Sequence, residues 1–199
     1  MIDDIDPSVI SNLDAMRLEL YERGAPPSRE WLEYKRALGI DHDTIAAHAG
    51  VLCVLPLQYF ANRTFDFVDE DGILSAICEV LDTDGETTVD LAAWPLHRPE
   101  KIATVTGYGD ALGFWQVENP ATYFGGAALR IHRTADAWFR AGCCGVVPLN
   151  LASAPRWLSC APGNLLAEDR DHGWQIARAM HGYFEPRRIL APVNSRRAA

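Results

Sequence analysis

Apolar residues in the first fifty positions recur at helical spacing. Val9, Leu13, Met16 and Leu20 fall on one stripe, with Asp14, Arg17 and Glu22 elsewhere, which predicts an amphipathic helix over 7–23. Asp6 suits its cap, Pro7 its first position and Gly24 its end. After Pro26-Pro27 a second helix is expected from a Ser28 cap to Leu38, with Trp31, Tyr34 and Leu38 on one face and Gly39 behind it. A short third helix over 43–48 closes at Gly50. The period then changes. A continuous apolar run over 51–57 reads as a buried strand ending near Pro56. Segments 64–68, 73–81 and 87–94 read as a β-meander, joined by Asp69-Glu70-Asp71-Gly72 and Asp82-Thr83-Asp84-Gly85, both with the Asp-Gly chemistry of tight turns.

The second half is less regular. A helix is expected over 99–106, ended by Gly107, and strands over 114–117, 127–131, 145–149 and 163–167. Thr134 is placed to cap a helix carrying Trp138 and Phe139 and closed by Gly142. A last helix over 169–183 carries Ile176, Met180 and Phe184 on one stripe, and 187–199 is expected to fray. The fold class this predicts is α+β: N-terminal helices, then a largely antiparallel meander sheet with helices packed against it. The expected organisation is a helical segment over 1–50, a core over 51–186 and a tail over 187–199, folding as one unit.

Composition alters this picture little. The 199 residues are 48% hydrophobic and 23% charged, which suits a chain able to bury a core. No apolar run reaches the roughly 20 residues of a membrane span, and the N-terminus lacks the pattern of a secretory signal. Five cysteines, an odd number without paired spacing, are expected to be reduced in a cytoplasmic protein. Charge changes more. The net charge is −9, but residues 1–100 hold 20 acidic and 7 basic side chains and residues 101–199 hold 7 and 11. No Lys or Arg stands between Arg63 and Arg98, where nine carboxylates lie. Duplex DNA is therefore not an expected partner for this face, since phosphate contacts need Lys and Arg. A basic protein surface or a cation fits it, as does a plain solvated face.

Few motifs carry chemistry. The stretch from Gly107 to Gly113 misses G-x-G-x-x-G by one place and follows a predicted helix, so a turn is expected there and not a nucleotide loop. No C-x-x-C occurs, and His42 and His48 do not share a helical face, so no metal or cofactor is expected. Cys143-Cys144 is expected to pack as small apolar side chains. Asp82-Thr83-Asp84-Gly85-Glu86 opens like a calcium loop, but its flanks are strands and the twelfth place is Ala93, which favours a hairpin turn. Glu168-Asp169-Arg170-Asp171-His172 stands where a strand passes into a helix. Asp169 and Asp171 suit the helix cap and dipole there, and Glu168, Asp169 and His172 are the candidates for acid–base chemistry.

Trp31-Leu32-Glu33-Tyr34, Leu38-Gly39-Ile40, Asp43-Thr44-Ile45 and Gly50, followed by an apolar strand and a hairpin, resemble the segment ahead of the toprim domain in bacterial and phage primases. The resemblance covers residues 31–95. The later chain carries no toprim Glu followed by D-x-D, so what it implies is a replication module reused for binding. The leading functional expectation is a non-catalytic acidic inhibitor or adaptor of the kind mobile elements carry. It would meet a basic protein through Asp69, Glu70, Asp71, Asp82, Asp84, Glu86 and Asp90. The alternatives are a small enzyme using Glu168–His172 and a structural subunit of a homo-oligomer.

Overall fold

A computed structural model of the protein describes residues 7–24, 27–181 and 189–191. Three helices come first: α1 (Pro7–Gly24), α2 (Arg29–Leu38) and α3 (His42–Ala49). The Asp6 cap expected for α1 lies outside the described residues. Ser28 caps α2 by accepting from Trp31 N–H, and Gly39 ends it at φ 69. Asp41 caps α3, which starts at His42, one residue before the expected start. Each end is set by a side chain that satisfies an otherwise orphaned N–H, or by a residue free to turn left-handed.

Strands β1 (Leu52–Tyr59), β2 (Phe65–Phe67), β3 (Ile73–Leu81), β4 (Thr88–Pro95) and β5 (Ala103–Thr104) follow. They form an antiparallel sheet of order β2-β1-β3-β4-β5. The fold is α+β, as the pattern predicts, but two details differ. β1 inserts between β2 and β3, so the segment 68–72 is a crossing over β1 and not a hairpin turn. Gly72 makes that crossing possible, because a Cβ there would collide with Pro56 and the Leu57 backbone. Pro56 lies inside β1, one residue before the β2 pairing begins.

The sheet is covered on both faces, which explains why seven consecutive residues of β3, Ser75 to Leu81, are buried. On one face Leu13, Met16 and Leu20 of α1 meet Cys53, Leu57, Ile77, Leu91 and Ala93. On the other, Tyr34, Leu38, Ile45 and Ala49 meet Leu52, Val54, Ala76, Cys78, Val80, Ala92 and Trp94. The period of two along each strand sorts these sets.

The expected helix over 99–106 is absent. Its residues include β5, and the physical reason is Asp90. That side chain is fully buried, and its Oδ1 accepts from the N–H groups of Leu91 (2.8 Å), Val105 (2.9 Å) and Thr106 (2.9 Å). Oδ2 accepts from Gly109 N–H at 3.2 Å. N–H groups drawn to a carboxylate on β4 are lost to a helix. Burial raises the Asp90 carboxyl above its ordinary range, and the backbone N–H groups only partly offset this. The acid that charge patterning assigned to a partner surface is thus an internal strut.

The rest of the described chain holds β6 (Ala111–Leu112), β7 (Leu129–Ile131), α4 (Ala135–Arg140), β8 (Val147–Pro148), α5 (Ala154–Leu158), β9 (Leu165–Ala167), α6 (Arg170–Ala179) and β10 (Ile189–Leu190). β10, β9 and β7 form a parallel sheet, while β6 pairs with β8. β10 arises within the segment expected to fray. Phe114–Gln116, expected as strand, is a 3-10 turn. Gln116 is held there by hydrogen bonds to Cys143 O, Gly145 O and Gly145 N–H. Leu129, Ile131, Leu165, Ala167, Leu158 and Ile176 lie in the core of this half. Phe184 lies outside the described residues, and no helix among them is long and apolar enough to cross a membrane.

Replacing Asp90 tests its role. Asp90→Asn keeps one acceptor oxygen but turns an amide N–H toward Gly109, an expected loss of about 1–3 kcal/mol in urea unfolding. Asp90→Ala takes the carboxylate acceptor from all four N–H groups, Val105 keeping its 3.2 Å bond to Leu91 O, and should cost at least twice as much.

Candidate functional site

The parallel sheet brings distant residues together. β7 and β9 run side by side, with Ile131 opposite Ala167. The residues that follow, His132-Arg133 and Glu168-Asp169, therefore emerge at the same sheet edge. Open parallel sheets present side chains in this way at their strand C-terminal ends. His172, on the first turn of α6, completes the group.

Asp169 does two things. Its Oδ1 accepts from His172 N–H at 2.8 Å, capping α6, and both oxygens accept from Arg133, Oδ2 from Nη1 at 2.6 Å and Oδ1 from Nη2 at 2.8 Å. The Arg133 hydrogen bonds hold its carboxyl far below the ordinary carboxylate range. Glu168 accepts from Arg133 N–H at 3.2 Å and from Arg133 Nη1 at 3.3 Å, with His132 Nδ1 at 3.5 Å. Burial alone would raise its carboxyl, but the His132 contact and the Arg133 N–H outweigh it and lower it. His132 Nε2 lies 2.9 Å from Cys144 O, and a carbonyl only accepts, so that nitrogen carries a proton.

His172 is buried, and its Nδ1 accepts from Glu168 N–H at 3.3 Å. The neutral ring therefore has its proton on Nε2, where no described residue meets it. Burial, with Arg133 nearby, lowers its pKa and keeps the ring neutral.

His132, Arg133 and His172 line a cleft of about 380 Å³, and Arg63, Glu100 and Asn150 line it too. Arg63 Nη2 donates to Ile102 O at 3.3 Å and Leu149 O at 3.2 Å. The sequence pointed to Glu168, Asp169 and His172, and the structure brings them together. Sequence reasoning missed His132, Arg133 and Arg63. An Asn62-Arg63 turn between two apolar strands was the available signal for Arg63.

The acidic residues form no single surface. Asp69, Glu70 and Asp71 are exposed on the crossing beside the start of β3. Asp82, Asp84 and Glu86 form the β3–β4 tip, roughly 25–30 Å away at about 3.3 Å per residue. Asp69 pairs with Arg23 at 2.9 Å. Asp84 accepts from Glu86 N–H, Thr87 N–H and Thr87 Oγ1, so it shapes its own turn and sits below the usual carboxylate range. Cys53, Cys78 and Cys143 are buried and Cys144 and Cys160 exposed, all as free thiols. Only Cys143 of the adjacent pair packs inside, where burial pushes its thiol up to about 12. Among the described residues no three His, Cys, Asp or Glu side chains are grouped to hold a metal ion.

The double role of Asp169 changes what substitution should do. Asn keeps the cap but loses the charge opposite Arg133, a partly exposed pair worth up to about 1 kcal/mol. Ala loses both, so Asp169→Ala should cost roughly 1–3 kcal/mol against a smaller loss for Asp169→Asn in chemical unfolding. His172 gives a pH signature. Its folded pKa lies below the unfolded value near 6.5, so the unfolded chain takes the proton first and stability falls as pH drops through about 6.5. His172→Gln should flatten that segment of a stability–pH curve and leave the steeper carboxylate-driven loss below about pH 4. No family model, no curated protein and no solved structure matches this chain.

Proposed function

We propose that this protein binds a small molecule bearing a carboxylate or phosphate group, in the cleft between Arg63 and the His132-Arg133-His172 edge. The observation that carries the reading is Arg63. It occupies a left-handed backbone position, φ 65, at the bulge of the β1–β2 turn, where glycine fits without strain. A strained residue persists where its surroundings over-determine it, often at a binding site. The Ile102 and Leu149 carbonyls steady one arm of the guanidinium. The rest of its N–H fork has no described acceptor.

The other side chains around the cleft support the same polarity. His172 contributes its Nε2–H, and Asn150 and Gln175 bring amides. Glu168 and Asp169 are already engaged by Arg133, the α6 cap and His132, so they contribute little free acceptor capacity. Glu100 has no described partner and is available to a donor group on the same molecule. This balance favours binding over acid–base catalysis. A doubly engaged Asp169 is a weak proton acceptor, and the Nε2–H tautomer of His172 is a donor.

Calorimetric titration with inorganic phosphate and with succinate tests the reading. At least one anion should bind at millimolar concentration. Arg63→Gly suits the backbone and should leave the melting temperature within a few degrees, while weakening binding at least about tenfold, or ~1.4 kcal/mol. Absence of binding by both anions, or equal affinity in Arg63→Gly, defeats the proposal.

A further inference from the structure

The cleft that Arg63 lines holds a second charge, which anion binding alone leaves unused. Glu100 is exposed, lines the same cleft, and has no hydrogen bond or ion pair among the described residues. It stands two residues before Ile102, at most about 7 Å along the chain at ~3.6 Å per residue. The Ile102 carbonyl is one of the two that Arg63 Nη2 grips, at 3.3 Å, the other being Leu149 O at 3.2 Å. Those bonds commit the guanidinium to the backbone, and no ion pair joins it to Glu100. One cleft therefore offers a cation and an anion that do not neutralise each other. In a recess partly closed to water, an unmatched charge attracts a partner more strongly than on open surface.

Much of the remaining lining is apolar. Ile102, Leu149 and Ile176 are buried, while Leu151 lines the cleft with 62% of its surface exposed. These walls select the occupant. A simple anion satisfies Arg63 but leaves Glu100 unmatched, and an amine alone does the reverse. A sugar brings a counter-charge to neither. A molecule with a carboxylate and an ammonium on one carbon matches both charges with charge-assisted hydrogen bonds. An apolar side chain on that carbon would also take Leu151 out of water. Resting on the anion site at Arg63, we infer that the cleft takes a free α-amino acid with an apolar side chain. Its carboxylate meets the Arg63 fork and the His172 Nε2–H, and its ammonium meets Glu100. A volume of about 380 Å³, at the lower end for small-molecule sites, suits one amino acid and not a peptide.

Calorimetric titration of the full chain with leucine, valine and phenylalanine provides the test. Each is compared with the same acid lacking its amino group: 4-methylpentanoate, 3-methylbutanoate and 3-phenylpropionate. At least one amino acid should bind about tenfold or more tightly than its deaminated partner, as a charge-assisted contact to Glu100 implies. Glu100→Gln, at an exposed position, should erase that difference, while Arg63→Gly should weaken both members of the pair. Equal affinity within every pair, or a difference that survives in Glu100→Gln, overturns the amino-acid inference. The anion site at Arg63 stands in that case if Arg63→Gly still weakens the deaminated acids or phosphate. If phosphate binds and none of the six organic ligands does, the amino-acid inference alone falls. If nothing binds, both fall. The comparison within pairs on the natural chain decides whether or not either variant folds.

Discussion

Three carboxylates lie inside or at the edge of a sheet covered on both faces, and each must be given hydrogen bonds by some distant part of the chain. Glu79 receives Arg17 Nε at 2.9 Å and the Tyr21 hydroxyl from α1. Asp90 gathers the backbone between Val105 and Gly109. Asp136 of α4 receives Tyr34 Oη at 2.6 Å from α2 and Trp94 Nε1 at 3.0 Å from β4. An unmatched buried charge is disfavoured by several kcal/mol. The elements that carry these donors therefore cannot slide along the sheet as a purely apolar interface allows. Apolar packing supplies the driving force and the three acids supply the register.

The site inherits this register. α4 begins two residues after Arg133, so the anchoring of Asp136 against Tyr34 and Trp94 also fixes where the end of β7 points. The Asp90 strut starts the path from β4 through β5 and β6 toward the second half. Arg63 completes the link from the other side, since its guanidinium grips Ile102 and Leu149, carbonyls that flank that path. The cleft thus lies at a seam between the antiparallel and parallel sheets, and its two walls are tied by a side chain that also faces the opening.

Local chemistry was legible wherever a short-range signal decided the outcome. Ser28, Thr134 and Asp169 cap the helices expected of them, and Asp82 to Gly85 makes the β3–β4 turn. What could not be read was pairing across the chain. Nothing between Leu52 and Leu81 states that β1 lies between β2 and β3, because the apolar alternation of each strand is satisfied by either neighbour. The 99–106 segment has an ordinary helical pattern that loses to two N–H bonds, from Val105 and Thr106 to a carboxylate fifteen and sixteen places earlier. Glu168, Asp169 and His172 were visible as a group because they are close in sequence. Their partners His132 and Arg133 were not, since only the parallel pairing of β7 with β9 makes them neighbours. The acidic window misled for a related reason: counting charges between Arg63 and Arg98 cannot distinguish an exposed Asp84 from a fully buried Asp90.

The strand order also bears on colloidal behaviour. The three long strands, β1, β3 and β4, occupy the interior of the five-stranded sheet, while its borders are β2, of three residues, and β5, of two. An unpaired border is a template on which a second chain can add by edge-to-edge pairing, and a very short one gives such growth little purchase. The crossing over β1 therefore does more than complicate the topology. By sending a three-residue segment to the outside, it places the eight-residue Leu52–Tyr59 strand, which a plain meander would leave at the border, between two neighbours.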